Sequence, residues 1–136
     1  MTPIATYSAT TKGGRDGRAI LDSGGLGLAM TLPKELGGSG EGVNPEQLFA
    51  LGYSSCFGQA ILALAKKHSI DAAPAKVTAA VTLNKDDPSF ALSVELKVAI
   101  PGADRAKVEA LVHDAHQICP YSKAIRGNVP VKLTIV

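Results

Sequence analysis

The chain has 136 residues, enough for a real hydrophobic core, which predicts a single domain over residues 1–136. Its net charge of +2 is too small for a nucleic-acid binder, and 46% hydrophobic against 4% aromatic residues means a core of Ala, Val, Leu and Ile. A mean hydropathy of +0.14 is high for a small soluble monomer, so an oligomer that hides apolar surface between subunits is expected.

The opening residues, Met1-Thr2-Pro3-Ile4-Ala5-Thr6, show neither the basic nor the apolar segment of a signal peptide. A reducing cytoplasm is the expected location. Ile4 to Thr10 alternates loosely and reads as a strand. Lys12-Gly13-Gly14-Arg15-Asp16-Gly17 is a turn, Arg18 to Leu21 a strand, Asp22-Ser23-Gly24-Gly25 a second turn, and Leu26 to Leu32 a third strand. These turn lengths give an antiparallel meander, followed by a glycine-rich loop from Pro33 to Val43.

The first helix has a clear start. Asn44 is a preferred N-cap, Pro45 suits the first helical position, and Gln47 completes a capping box with Asn44. Apolar residues run almost all round from Leu48 to Ala65, as in a helix surrounded by protein. Gly52, Ser54, Ser55, Gly58 and Gln59 interrupt the stretch, which argues against a membrane span.

Lys76 to Leu83 and Phe90 to Ile100 alternate around an Asn84–Ser89 turn, predicting a hairpin. Val108, Leu111, Val112, Ala115 and Ile118 then recur at helical spacing, giving a second helix from Asp104 to about Ile118, ended by Pro120. Val131 to Val136 is a last strand. The order β-β-β-α-β-β-α-β makes an α+β domain.

Two cysteines lie far apart in this order, Cys56 inside the first helix and Cys119 at the end of the second. Without an export signal, reversible redox chemistry fits them better than a structural bridge. Cys56 sits mid-helix in apolar surroundings that raise a thiol pKa, so by itself it is an inert core thiol; to react it needs a cation nearby. Arg15 and Arg126 are arginines in glycine-rich settings, while Arg18 and Arg105 read as ordinary surface charges. Glu46 in the first helical turn either complements the dipole or holds an arginine in place. Ten residues put it roughly 15 Å from Cys56 along the helix, so the two cannot meet within one helix. Cys119, at the negative end of a helix, is a poor first nucleophile and a reasonable resolving thiol. His68, His113 and His116 read as helix-surface residues, with His116 also positioned to act as a base. A metal site from His113, His116 and a cysteine lacks matched ligand spacing, and the glycine-rich loop before Asn44 lacks the Lys-Ser/Thr ending of a phosphate loop.

Taken together, several segments resemble the organic hydroperoxide resistance (Ohr) branch of the OsmC/Ohr superfamily. They are Gly13-Gly14-Arg15-Asp16-Gly17, Leu32-Pro33-Lys34-Glu35-Leu36-Gly37-Gly38 and Asn44-Pro45-Glu46-Gln47-Leu48-Phe49-Ala50. Gly52-Tyr53, Cys56-Phe57, His116, Cys119-Pro120-Tyr121-Ser122 and Arg126-Gly127-Asn128 follow in family order. Lys123, Ile125 and Ser54-Ser55 depart from the common pattern without touching the expected reacting groups. The resemblance implies an OsmC-like fold, as an intertwined homodimer with central helices against antiparallel sheets. It implies a thiol peroxidase for alkyl and fatty-acid hydroperoxides, with no bound cofactor or metal. Cys56 resembles the peroxidatic cysteine, Cys119 the resolving one, Arg15 the thiolate-stabilising arginine and Glu46 the carboxylate that orients it. A Cys56–Cys119 disulfide would be reduced by dihydrolipoamide or a lipoylated protein, and neither nucleic acid nor membrane is an expected partner. A non-catalytic redox sensor or binding module switched by the same disulfide is the alternative.

Overall fold

Short strands set the limits of the first sheet. In the computed structural model, which describes all 136 residues, the chain forms two compact units, Met1–Leu48 and Phe49–Val136. In the first unit β1 (Ala9–Lys12), β2 (Arg18–Leu21) and β3 (Gly27–Ala29) pair antiparallel in that order. The strand expected over Ile4–Thr10 lies instead at Ala9–Lys12. Its partner β2 ends at Leu21, opposite Ala9, and beyond that pair a single bond from the Asp22 N–H to the Ser8 carbonyl at 3.0 Å continues the pairing. β3 falls short of Leu32 because the chain changes partners: Met30 bridges Val43, and the Thr31 N–H donates to the Val43 carbonyl at 3.0 Å.

Helix α1 (Pro45–Ala65) begins as its sequence requires. The Asn44 side chain accepts from the Gln47 N–H and the Gln47 side chain accepts from the Asn44 N–H, both at 2.9 Å, which closes the capping box. A single 3-10 turn, Lys66–His68, ends the run. Together they are long and apolar enough to cross a membrane, yet Tyr53, Phe57, Ala60, Ile61 and Ala65 are buried in protein.

The second unit holds the core. β4 (Lys76–Asp86) and β5 (Ser89–Ala99) form a hairpin whose ladder runs to Asp86↔Ser89, leaving only Asp87-Pro88 as the turn. The polar residues read as a six-residue turn are therefore mostly strand. The Asn84 Nδ2 stitches the hairpin across its width, donating to the Ser93 hydroxyl at 2.9 Å. Val94, Leu96 and Val98 alternate inward from β5 and join Phe57 and Ile61 of α1. Val108, Leu111, Val112 and Ala115 of α2 (Arg105–Ile118) complete that cluster. Each fully buried Phe, Ile or Leu contributes about 1.5–3 kcal/mol by leaving water. Asp104 caps α2, its side chain accepting from the Lys107 N–H at 3.0 Å.

Two features differ from the expected order. A third helix, α3 (Pro120–Ile125), follows α2 directly, and β6 (Val131–Ile135) pairs parallel to β5, so the second sheet is mixed rather than antiparallel. Both have one cause. α2 and α3 together form a crossover long enough to return the chain to the end where β5 began, and that is the connection a parallel pair needs.

One face of α1 is left uncovered in the single chain. Leu51 and Leu62 are 64% and 53% exposed, on the side of the helix opposite Tyr53 and Ala60. The all-round apolar pattern has half its surface buried here and half open.

Candidate active site

The four predicted site residues form two separate pairs, Arg15 with Glu46 in the first unit and Cys56 with Cys119 in the second. Arg15 stands on a 3-10 turn, Gly14–Asp16, that needs its glycines: Gly13 and Gly14 have φ of 82° and 57°, and a Cβ at Gly17 would collide with the Lys12 carbonyl. Its guanidinium donates two parallel hydrogen bonds to Glu46, Nη1 to Oε2 at 2.8 Å and Nη2 to Oε1 at 2.7 Å. This fork geometry is specific to arginine and carboxylate. The bonds from Arg15 hold the Glu46 carboxyl below its usual range, partly opposed by burial, and the same bonds raise Arg15. With Arg15 39% exposed the pair adds little stability, about 0–1 kcal/mol. Its larger effect is orientation, since it fixes the plane of a guanidinium whose remaining N–H donors stay available.

In the second unit the Cys119 thiol donates to the Cys56 sulfur across 3.6 Å. Neither is in a disulfide; Cys56 is partly buried and Cys119 fully buried. A disulfide needs about 2.05 Å between sulfurs, so a shift of about 1.5 Å closes the gap. Burial pushes the Cys56 thiol up from its ordinary value. The Tyr121 backbone N–H, at the start of α3, pulls it down, and the neighbouring Cys119 raises it further.

Aromatic rings line this end of α1. Tyr121 lies against Phe49 and Tyr53, with centroids 5.9 and 5.8 Å apart, and Phe49 meets Tyr53 edge-on at 6.0 Å. Gly52 makes room for it: a Cβ there would stand 2.5 Å from the Tyr121 hydroxyl. Along α1, Phe57 is fully buried core and Leu51 faces outward, while Phe49 borders Tyr121. No cluster of three or more His, Cys, Asp or Glu side chains is positioned to hold a metal ion.

The sequence profile of the family described as OsmC-like protein matches residues 38–134. An organic hydroperoxide resistance protein of Xanthomonas axonopodis pv. citri (strain 306) is 44% identical over 135 residues, covering 97% of this chain and 94% of the relative. The chain belongs to the OsmC-like family, in its organic hydroperoxide resistance branch. Solved structures agree. An organic hydroperoxide resistance protein OsmC from Legionella pneumophila superposes with a TM-score of 0.91 at 43% identity, over 98% of each chain. OhrB of Bacillus subtilis gives 0.86 at 42%, over 97% of this chain and 98% of its own.

Against this OsmC-like background, three features of the site had no clear signal in the sequence pattern. The first is α3 itself. Pro120 reads as a helix stop, yet proline is equally at home in a first helical turn, and Cys119, extended before it at φ −60° and ψ 122°, joins the two helices. The second is Ser122, fully buried, whose hydroxyl lies 2.8 Å from the Tyr53 hydroxyl and 2.9 Å from His116 Nδ1. The third is His116, which is a part-buried member of that network rather than a surface residue; burial lowers its pKa, with Arg126 and His113 adding to the effect. His68 is also not a free surface residue, since its Nε2 is 3.0 Å from Asp114, which Lys67 shares at 2.8 Å.

Proposed function

We propose that the protein is a cysteine-based peroxidase that reduces organic hydroperoxides to alcohols. The observation that supports this best is the pair of free sulfurs 3.6 Å apart, one partly accessible and one fully buried. The Cys56 thiolate attacks the distal peroxide oxygen, the O–O bond breaks, and the alkoxide leaves as an alcohol after taking a proton. Cys56 is left as a sulfenic acid. Cys119 condenses with it to a disulfide and water, and a dithiol of the lipoyl type, free or on a protein, reduces that disulfide by exchange.

Burial and Cys119 work against the Cys56 thiolate, so the reading requires a cation beyond the local N–H of Tyr121. We assign that part to Arg15, with Glu46 as the carboxylate that orients it; the bidentate bond between them supports the assignment. The guanidinium would also meet the charge building on the leaving alkoxide. A cytoplasmic homodimer, joined over the exposed apolar face of α1, completes the proposal.

The deciding experiment is peroxide consumption by the purified protein. An alkyl hydroperoxide should be consumed faster than hydrogen peroxide, and dihydrolipoamide should sustain turnover better than thioredoxin. One oxidation per chain without turnover under any dithiol would overturn the peroxidase reading in favour of a redox switch.

A further inference from the structure

Ser122 is the only polar residue in the fully buried core. A hydroxyl in such a place is costly unless it is bonded, and alanine would fill the space without that requirement. Its bonds reach two other helices: Tyr53 on α1 and His116 on α2. Around it α3 is shallow, with Pro120, Tyr121, Lys123 and Ala124 exposed and Ile125 only partly buried against the core, so Ser122 is the one fully buried residue of this helix. At the far end the Arg126 guanidinium donates to the His116 carbonyl at 2.6 Å, gripping the last turn of α2 from outside.

What α3 carries is the chemistry. Cys119 is its N-cap and its thiol donates to the Cys56 sulfur across 3.6 Å, the Lys123 N–H donates to the Cys119 carbonyl at 2.9 Å, and the Tyr121 N–H lowers the Cys56 pKa. The proposed resolving thiol, itself the donor to Cys56, therefore rides at the start of one six-residue helix together with a group that favours the Cys56 thiolate. We infer that Ser122 is a positioning residue for the thiol pair: by tying α3 to α1 and α2 it holds the Cys119 sulfur on Cys56.

The inference deepens the proposed peroxidase reading and rests on it for the resolving step. In that step the Cys119 and Cys56 sulfurs join, the S–O bond of the Cys56 sulfenic acid breaks, and the hydroxyl leaves as water with the Cys119 thiol proton. No further oxidant is consumed. A loosened α3 would slow this step by lost proximity and would lessen the effect by which the Tyr121 N–H lowers the Cys56 pKa.

The test uses the full chain and two readouts. In a Cys119→Ser background, Ser122→Ala should raise the Cys56 pKa by about half a unit or more, read from thiolate ultraviolet absorbance. With Cys119 present, Ser122→Ala should slow disulfide formation about tenfold or more after one equivalent of tert-butyl hydroperoxide, while dimedone traps more sulfenic acid. Tyr53→Phe keeps the ring and its packing, and should move both readouts the same way, which serves if Ser122→Ala folds poorly. His116→Asn places an amide where Nδ1 stood and should keep both near wild type. If Ser122→Ala and Tyr53→Phe only lower the melting temperature, leaving pKa and condensation unchanged, Ser122 is a packing residue and the inference is wrong. The pKa readout needs no peroxide, so it still decides the question if Cys56 in the unmodified protein proves unreactive to hydroperoxides.

Discussion

Glu46 grips Arg15 with both carboxylate oxygens, at 2.7 and 2.8 Å, so the guanidinium is held in its plane rather than tethered at one point. A single bond would let the arginine swivel on its long stem. Two parallel bonds remove that freedom and leave its charge aimed.

If that aimed charge is what ionises Cys56, Arg15→Ala should raise the Cys56 pKa by ~1–3 units and slow peroxide attack strongly. Glu46→Ala removes a negative charge as well as the grip, so its effect on pKa is mixed while the loss of rate remains. Stopped-flow rates for both single variants and the pair give the coupling directly. Losses that simply add in the double variant mean the two residues act independently.

The two thiols should separate in single-turnover experiments. Cys56→Ser should abolish peroxide reduction. Cys119→Ser should complete one fast oxidation and stop at a sulfenic acid, visible as a dimedone adduct by mass spectrometry. Loss of the first oxidation in Cys119→Ser would reverse the assignment.

The open face of α1 predicts a second copy of the chain. Leu51 and Leu62 stand on it, each worth about 1.5–3 kcal/mol when covered. Sedimentation at micromolar concentration should give twice the chain mass, and Leu51→Asp with Leu62→Asp should shift it toward one. A fully active wild-type monomer would sink the proposal.

Acid should weaken the fold in two windows. His116 and Glu46 both have depressed pKa values in the folded protein, His116 through burial and Glu46 through Arg15. In both cases the unfolded chain binds the proton more readily, so stability rises with pH. The stabilisation is complete above the ordinary values of 6.5 and 4.5 and is lost as pH falls through the lower, folded ones. Urea midpoints measured from pH 8 to 3 should fall in both ranges. His116→Asn should flatten the upper, while Glu46→Gln should lessen but not remove the lower, where Asp22, Glu95 and Asp114 are also depressed.

Gly52→Ala sets helix propensity against packing. Inside α1 alanine should gain roughly 0.5–1 kcal/mol over glycine. Its Cβ, however, would reach to 2.5 Å of the Tyr121 hydroxyl and 3.0 Å of its ring, and overpacking costs about 1–3 kcal/mol. The melting temperature should not rise. A rise would mean that Tyr121 moves freely and α3 is less fixed than drawn.

The order of elements was readable where local chemistry dictates it. The Asn44–Gln47 capping box, the β4–β5 alternation and Val108, Leu111, Val112 and Ala115 of the α2 stripe appear as the sequence predicts, whereas Ile118, expected on that stripe, is exposed at the helix end. Strand ends were not, because they depend on a partner: β1 shifts to Ala9 because β2 stops at Leu21. The parallel seat of β6 likewise depends on where two helices return the chain. The roles expected of Cys56, Cys119, Arg15 and Glu46 come from the family resemblance, since residue type and setting alone leave Cys56, Arg15 and Glu46 an ordinary structural reading. Ser122 enters only as part of the Cys119-Pro120-Tyr121-Ser122 stretch, and nothing in that stretch shows that α3 carries its hydroxyl into the core.

The full burial of Cys119 makes the two thiols unequal toward small electrophiles. A reagent arriving from solvent meets Cys56 and has no path to Cys119 without opening the α2–α3 joint. Alkylating agents should therefore mark one cysteine per native chain and two after denaturation. Under sustained oxidant excess, irreversible sulfinic damage should accumulate on Cys56 alone. For anyone attaching a dye or a covalent inhibitor, the fold itself supplies a single labelling address.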